Sequence, residues 1–232
     1  NIGMFNCPGW SQSGGPWIKP SQAMRYLVSS EVKVRGPKRM QQKLPRPAEE
    51  FQEVSVLAFP VPKADTDVVA GSGVAVDSSP ALEGAERLVD GSLDTACSFP
   101  GNASSVTATI TTETKRTVRS LSVYPAGRPF KAMCRLLVQK ADGAWQSIRT
   151  FEVDRSNMSI NVGPMPQGPV TVSFQAVTAS VFRIEFTHLH RNSALAELQL
   201  SAAARLEWFV EKQLGKMHPT PLPLWDTYLW QE

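Results

Sequence analysis

A twelve-residue stretch near the start of the chain, NCPGWSQSGGPW, carries side chains that suit contact with a ligand. It holds two tryptophans, three glycines and two prolines, although chain starts are usually frayed and polar. Tryptophan offers a flat apolar surface, and glycine lets the backbone approach a ligand closely. The composition predicts a loop at the mouth of a binding site, with contact residues Asn6, Trp10, Ser11, Gly14, Gly15 and Trp17.

Other residues with chemical potential are histidines and cysteines. His188 and His190 alternate along a predicted strand, so they are expected to share a face. Such a pair could bind a metal or a hydroxyl, and a solvated pair is the alternative. The three cysteines, Cys7, Cys97 and Cys134, lack metal-ligand spacing, so no zinc site is expected. They allow at most one disulfide, and we expect buried free thiols.

Four segments would position these residues. Residues 1–62 combine the loop with a predicted helix, Lys19–Val32, a strand that begins at Ser30, and an apolar strand, Val54–Pro62. Residues 63–79 are small and polar and predict a linker. Residues 80–202 are rich in strand-like runs. Residues 203–232 begin with a predicted helix, Ala204–Met217, and end in a tail rich in proline and tryptophan.

The strand-like runs of residues 80–202 alternate apolar and polar residues and are rich in β-branched side chains. Turn residues such as Asp142-Gly143 separate them. Short strands at this spacing predict an antiparallel β-sandwich. The runs are SVTATITT, TVRSLSVYP, CRLLVQKA, QSIRTFEV, VTVSFQAVTA, VFRIEFTHL and LAELQLSA.

Composition excludes several classes of function. The net charge is only +3 and the basic residues are scattered, so nucleic-acid binding is not expected. No apolar run reaches the roughly 20 residues of a membrane span. The start, NIGMFNC, lacks both an initiator methionine and a basic signal region, so we expect an excised piece whose targeting signal lies elsewhere.

The first 60 residues resemble the α-L-rhamnosidase-like glycoside hydrolases of family 106. The resemblance rests on NCPGWSQSGGPW, on a helix of the form Pro-x-x-Ala-Met-x-x-Leu, and on KLPRP and VSVLAFPVP, in that order. It implies that these residues belong to a catalytic (β/α)8 barrel. The late run RLEWFVEKQLG is similar to the point where the family chain returns to its barrel.

The resemblance implies an enzyme that buries a sugar between aromatic faces and cleaves it with two carboxylates. Trp10 and Trp17 would stack on the sugar, Gly14 and Gly15 would admit it, and Asn6 and Ser11 would bind its hydroxyls. The alternative is that both tryptophans pack the loop onto the barrel. The acidic residues of the first segment form no acid/base pair, so no catalytic residue is assigned and we expect the chain to be inert alone; they are Glu31, Glu49, Glu50 and Glu53.

Residues 82–200 resemble galactose-binding-like (discoidin-like) domains. The resemblance rests on ERLVDGSLDTACSF and on LAELQL near the end. In that fold the first loop often holds a structural Ca²⁺, which favours six to eight oxygen ligands. The implied ligands are the side chains of Asp90, Thr95 and Glu197, with carbonyls of Arg87, Ser92 and Ala196. The alternative is a metal-free loop in which Asp90 caps the turn.

The predicted fold is mainly β: a galactose-binding-like antiparallel β-sandwich (jelly roll) flanked by partial α/β segments of a (β/α)8 barrel. Sugar-binding candidates on the sandwich are Phe99, Arg128, Trp145 and His190. The expected function is a non-catalytic segment of a secreted bacterial glycoside hydrolase, periplasmic or extracellular, acting on rhamnose-containing or related glycans. Its sandwich would bind carbohydrate or support the active-site rim, with the rest of the barrel as partner. A stand-alone carbohydrate-binding module and a purely structural sandwich remain alternatives.

Overall fold

The computed structural model describes residues 32–37, 39–45, 53, 55–156 and 168–208. Within these ranges the chain is mainly β, with eight strands, a short helix α1 (Lys63–Thr66) and a 3-10 helix, Ala85–Val89. All strand pairs are antiparallel. The strands are β1 (Val68–Val69), β2 (Val74–Ser79), β3 (Cys97–Ser98), β4 (Ser105–Pro125), β5 (Phe130–Gln139), β6 (Trp145–Arg155), β7 (Val170–Thr187) and β8 (Ala194–Ser201).

The seven strand-like runs are confirmed in β4 to β8, although three of them extend one or two residues past the end of a strand. Two pairs of runs merge, because β4 and β7 each continue through the break that the sequence suggested. Alternation explains the strands: Val106, Ala108 and Ile110 are fully buried, while the residues between them are partly exposed. Period-two burial is the pattern of a strand with one face on a core.

The two long strands build two layers. The first half of β4 lies between β2 and the second half of β7, and β5 and β6 extend that layer. The second half of β4 lies between the first half of β7 and β8, whose outer edge carries β1 and β3. The register of β4 against β7 shifts between Thr111 and Arg116, where both strands pass from one layer to the other.

One hydrophobic core lies between the layers. Phe99, which follows β3, packs its ring 6.2 Å from that of Phe130 in β5 and 5.5 Å from that of Phe186 in β7. The Phe130 and Phe186 rings meet edge to face at 6.1 Å. Cys97 and Cys134 are buried free thiols, as predicted for these two, and burial raises the pKa of each.

The predicted linker, residues 63–79, is wrong over most of its length. Residues 68–69 pair with β8 and residues 74–79 pair with β4, so they are strands of the sandwich. Gly71 and Gly73 have φ of +78° and +80°, and they form the turn between β1 and β2. Val74 and Val76 pack against the core, and these two alternating valines distinguish the segment from a linker.

The predicted strands of the first segment are also corrected where they can be checked. Residues 32–34 and 55–62 form no strand. Leu57 is 77% exposed and Phe59 is 67% exposed, so their apolar side chains pack on no core. A strand needs a neighbour for its backbone hydrogen bonds, and no described strand pairs with these residues. The helix Lys19–Val32 lies outside the described residues except for its last one.

The start of the second predicted helix, Ala204–Met217, is not helical. Residues 204–206 are irregular, residues 207–208 form a turn, and the remainder lies outside the described residues. Trp208 has a φ of +53°, which a right-handed helix does not allow. Its side chain packs against the core, and its N–H donates to the Thr171 carbonyl at 3.1 Å. The contacts of Trp208 with β7 and the core therefore outweigh the helix propensity of this segment.

The chain enters and leaves the sandwich at one place. The Ala202 N–H donates to the Asp67 carbonyl at 2.9 Å, and Arg205 lies 3.7 Å from the Asp65 carboxylate. Ser173 in β7 secures the departing segment, since its hydroxyl donates to the Arg205 carbonyl at 2.5 Å and accepts the Arg205 N–H at 3.0 Å. Residues 65 and 205 are thus fastened side by side.

Replacing Ser173 by alanine is expected to lower the free energy of unfolding by about 1–2 kcal/mol, because it removes two partly buried hydrogen bonds. Urea denaturation measures the loss. Ser147→Ala is the matched control, since Ser147 is an exposed strand serine and its replacement should change stability by less than about 0.5 kcal/mol. Equal effects of the two variants would show that the Ser173 contacts do not fasten the segment.

Candidate functional site

Three loops meet at one end of the sandwich, and we call this the loop end. They are residues 99–104 between β3 and β4, 126–129 between β4 and β5, and 188–193 between β7 and β8. Antiparallel pairing places them together, because the start of β4 lies opposite the end of β7. Backbone hydrogen bonds join them: Phe99 N–H to the Ser193 carbonyl at 2.9 Å, and His190 N–H to the Lys131 carbonyl at 2.8 Å.

A cleft of about 420 Å³ opens between the first and third of these loops. This volume lies within the range of small-molecule sites. The two loops approach closely at Gly101, where a Cβ would lie 2.8 Å from Oδ1 of Asn192. The cleft is lined by Gly101, Asn102, Ala103, Ser104, Leu189 and Arg191.

The chemistry of the loop end is polar and lacks acid. Asn102 and Ser104 offer hydrogen-bond donors and acceptors, and Arg191 offers a guanidinium. None of the three loops contains Asp or Glu. Glycoside hydrolysis requires two carboxylates that flank the scissile bond, so the loop end can bind a ligand but cannot supply that pair.

The four sugar-binding candidates of the sandwich do not converge. Phe99 is buried in the core, so its prediction as an exposed contact residue is wrong. Trp145 lies at the opposite end, where β5 turns into β6, and the Arg183 guanidinium stacks 3.8 Å above its ring. Arg128 and His190 are exposed and belong to the loop end.

The histidine pair is not on a strand. β7 ends at Thr187, and His188 has a φ of +54°, which ends the extended backbone. The predicted shared strand face is therefore wrong, because the two side chains come from an irregular loop. The His190 Nδ1 lies 2.9 Å from the Arg191 carbonyl.

A second candidate site lies beside β8, in the loop after the 3-10 helix. Asp90 Oδ1 accepts the Ser92 N–H at 2.8 Å, and its Oδ2 accepts the Thr95 hydroxyl at 2.7 Å. Gly91, with a φ of +79°, donates its N–H to Glu197 Oε2 at 3.3 Å. The loop therefore brings together the predicted ligand side chains of Asp90, Thr95 and Glu197.

Glu197 is the unusual member of this group. It is only 2% exposed, and burial raises its pKa to about 8, with the nearby Asp90 charge acting in the same direction and backbone N–H groups of Gly91 and Asp90 opposing it. No described basic residue forms an ion pair with it. Without a cation this carboxyl therefore holds a proton at neutral pH, whereas a cation bound beside it and Asp90 would keep it ionised.

The donor set indicates which cation would fit. Two carboxylates and a hydroxyl are hard oxygen donors, which suit Ca²⁺. Within the part of the chain that the structure describes, no three His, Cys, Asp or Glu side chains cluster to hold a metal by themselves, so carbonyl oxygens would have to complete the shell. The Arg87 guanidinium donates to the Ala96 carbonyl at 3.3 Å, and Ala196 is buried beside Glu197 in β8. The ligand role of the Arg87, Ser92 and Ala196 carbonyls stays a prediction.

One predicted site lies outside the described residues, and several residues of the loop end were not predicted. The first predicted site, at residues 6–17, lies outside the described residues. Sequence reasoning missed Asn102, Ser104, Asn192 and Arg191, because they stand in short polar stretches that signal only turns. Their grouping arises from strand order, which no local pattern reveals.

Among the described residues, no helix has the length and hydropathy of a membrane span.

Comparison with known proteins gives one match over nearly the whole chain. Residues 1–230 match the model of glycoside hydrolase family 106, described as alpha-L-rhamnosidase. A curated protein of Formosa agariphila, named "Putative beta-glucuronidase", is 48% identical over 61 residues, which are 25% of this chain and 5% of that protein. The chain thus matches only a small part of that relative's length.

Two solved structures from Clostridium perfringens are similar at low identity. The family 32 carbohydrate-binding module of NanJ, in complex with galactose, is 15% identical with a TM-score of 0.47, covering 58% of this chain and 98% of that one. The module CBM32-3 from a family 31 glycoside hydrolase is 13% identical with a TM-score of 0.48, covering 62% of this chain and all of that one.

Proposed function

The chain belongs to the α-L-rhamnosidase family of glycoside hydrolases, and from this premise we propose that its sandwich is a non-catalytic, carbohydrate-binding domain inserted in the catalytic chain. The observation that carries the proposal is the polar cleft at the loop end, which offers amide, hydroxyl and guanidinium groups but no carboxylate. Such groups can bind sugar hydroxyls and cannot perform the acid/base chemistry of hydrolysis.

The adjacent entry and exit support the inserted position. Domains whose two ends lie close together tolerate insertion into another chain, and Asp65 and Arg205 are in contact. The parent would be a secreted bacterial enzyme acting on rhamnose-containing or related glycans. Its remaining barrel would carry the catalytic carboxylates, and residues 6–17 would contribute to its substrate site.

A glycan-binding screen on the 232-residue chain tests the proposal. Immobilised and soluble sugars, including rhamnose-containing and pectic oligosaccharides, are offered with and without calcium. We expect binding with a dissociation constant in the micromolar to millimolar range, weakened by Asn102→Ala. Ser147→Ala serves as the control variant. Failure to bind any sugar would refute carbohydrate binding by this sandwich.

A second candidate function, support of the active-site rim, is favoured by one observation. Protein surfaces that bind sugars commonly present an exposed aromatic ring, since Trp and Tyr combine an apolar face with a polar group. The loop end has no exposed Phe, Tyr or Trp, because Phe99 is buried. A chain that folds normally and binds no sugar in the screen would agree with this second function.

We propose Ca²⁺ as the ligand of the Asp90 loop, and its addition is expected to raise the melting temperature. At a free concentration 100 times the dissociation constant the gain is about 2.7 kcal/mol. Differential scanning calorimetry in EGTA and in millimolar calcium measures it. Mg²⁺ should have a smaller effect, because it prefers a smaller octahedral site.

Asp90→Asn should remove most of this gain. Asp142→Asn is the matched control, because Asp142 also precedes a glycine with positive φ and accepts the N–H of Ala144 at 2.9 Å. The control should keep the full calcium response. A wild-type chain whose melting temperature is identical in EGTA and calcium would refute the calcium proposal.

A further inference from the structure

Resting on the proposed sugar binding, we infer that the loop-end cleft selects glycans that carry a carboxylate, that is, uronic-acid residues. The three loops of the loop end carry positive groups without acidic ones. These groups are the exposed guanidiniums of Arg128 and Arg191. The three loops contain no Asp or Glu to balance them.

The two arginines are available to a ligand. Neither guanidinium forms an ion pair or a hydrogen bond with another residue that the structure describes. Two acidic residues of β6 are engaged by Lys131, whose Nζ lies 2.6 Å from Asp154 Oδ2 and 3.2 Å from Glu152 Oε1. Ser156 also donates to Asp154 from both its backbone and its hydroxyl.

The backbone holds the arginine-bearing loops side by side. The His190 N–H donates to the Lys131 carbonyl at 2.8 Å, and the Ala126 N–H donates to the Ala194 carbonyl at 3.1 Å. These bonds hold the loop that carries Arg191 against the start of β5, and the loop that carries Arg128 against the start of β8. The Ser193 hydroxyl also donates to the His190 carbonyl at 2.6 Å, which stiffens the third loop.

A uronic acid matches these groups. The planar guanidinium pairs with a carboxylate through two parallel hydrogen bonds. Arg191 lines the cleft itself, together with Asn102 and Ser104, so a sugar carboxylate could lie on the arginine while the ring hydroxyls contact the amide and the serine hydroxyl. A neutral sugar would leave the guanidinium without its preferred partner.

Three ligands that differ only at C6 test the inference. Isothermal titration of the full chain with galacturonate, galacturonate methyl ester and galactose separates charge from shape. Galacturonate should bind at least about ten-fold more tightly than the other two, because each charge-assisted hydrogen bond is worth more than a neutral one. Raising the salt concentration should reduce this preference.

Arg191→Ala should remove most of the preference for galacturonate, and Arg119→Ala is the matched control. Arg119 is an exposed arginine of β4 outside the loop end, so its replacement should change binding less than two-fold. Equal binding of all three ligands would overturn the inference while sugar binding stands. An equal loss in both variants would overturn the cleft as the source of selectivity. Absence of any sugar binding would overturn both the inference and the proposed function.

Discussion

Replacing Phe186 by alanine is expected to lower the free energy of unfolding by about 3–5 kcal/mol. Its side chain is fully buried, and its ring contacts those of Phe99 and Phe130. The substitution removes apolar surface and leaves a cavity between the two layers, where the three rings hold each other in place. Urea denaturation of the full chain, monitored by circular dichroism, measures the change.

Phe59→Ala is the matched control for this substitution. Phe59 is 67% exposed, so the same truncation should change stability by less than about 0.5 kcal/mol. A small effect of Phe186→Ala, comparable with that of Phe59→Ala, would contradict a single core shared by both layers.

In EGTA, the variant Glu197→Gln is expected to be more stable than the wild type at high pH, by up to about 5 kcal/mol. Burial raises the pKa of Glu197 from 4.5 to about 8, so the folded state holds a proton that the unfolded state has released between these values. Stability of the wild type therefore falls as pH rises through this window. Glutamine carries no charge at any pH, so the variant lacks this loss.

Denaturation curves of both proteins at pH 5, 6.5, 8 and 9 measure the difference, which should grow with pH and level off above pH 8. Glu113→Gln is the control, because Glu113 is exposed and its variant should follow the wild type at every pH. In calcium the wild type should be the more stable of the two proteins, because only the wild type has the Glu197 carboxylate that would bind the ion together with Asp90. A difference that does not depend on pH would show that Glu197 is ionised normally.

Local pattern was sufficient for the strands of the sandwich. Alternating runs such as SVTATITT and VFRIEFT are strands in the structure, because period-two burial is encoded residue by residue. The same reasoning failed at residues 68–79, where glycines suggested a linker, and at Val54–Pro62, where apolar residues suggested a strand. In both places the deciding factor was the presence or absence of a pairing partner.

The candidate sites were predictable to different degrees. The residues beside β8 were identified from motif resemblance, but the burial that makes Glu197 costly emerges only when β8 and the Asp90 loop come together. The cleft at the loop end could hardly be predicted from the sequence, because it forms where Gly101 and Asn192 meet, and these residues are 91 positions apart in the sequence. Phe99, predicted as an exposed sugar contact, is covered because residues of two other strands pack onto it.

The sequence by itself determined which segments are strands, where the Asp-Gly turns fall, and the family to which the chain belongs. Each of these depends on neighbours along the chain, through side-chain alternation, backbone preference or motif order. Tertiary structure alone decided that β4 and β7 pass through both layers, that entry and exit meet at Asp65 and Arg205, and that the three loops form one cleft. Those features depend on pairing and packing between segments that are distant in the sequence, so they cannot be predicted from any short stretch of it.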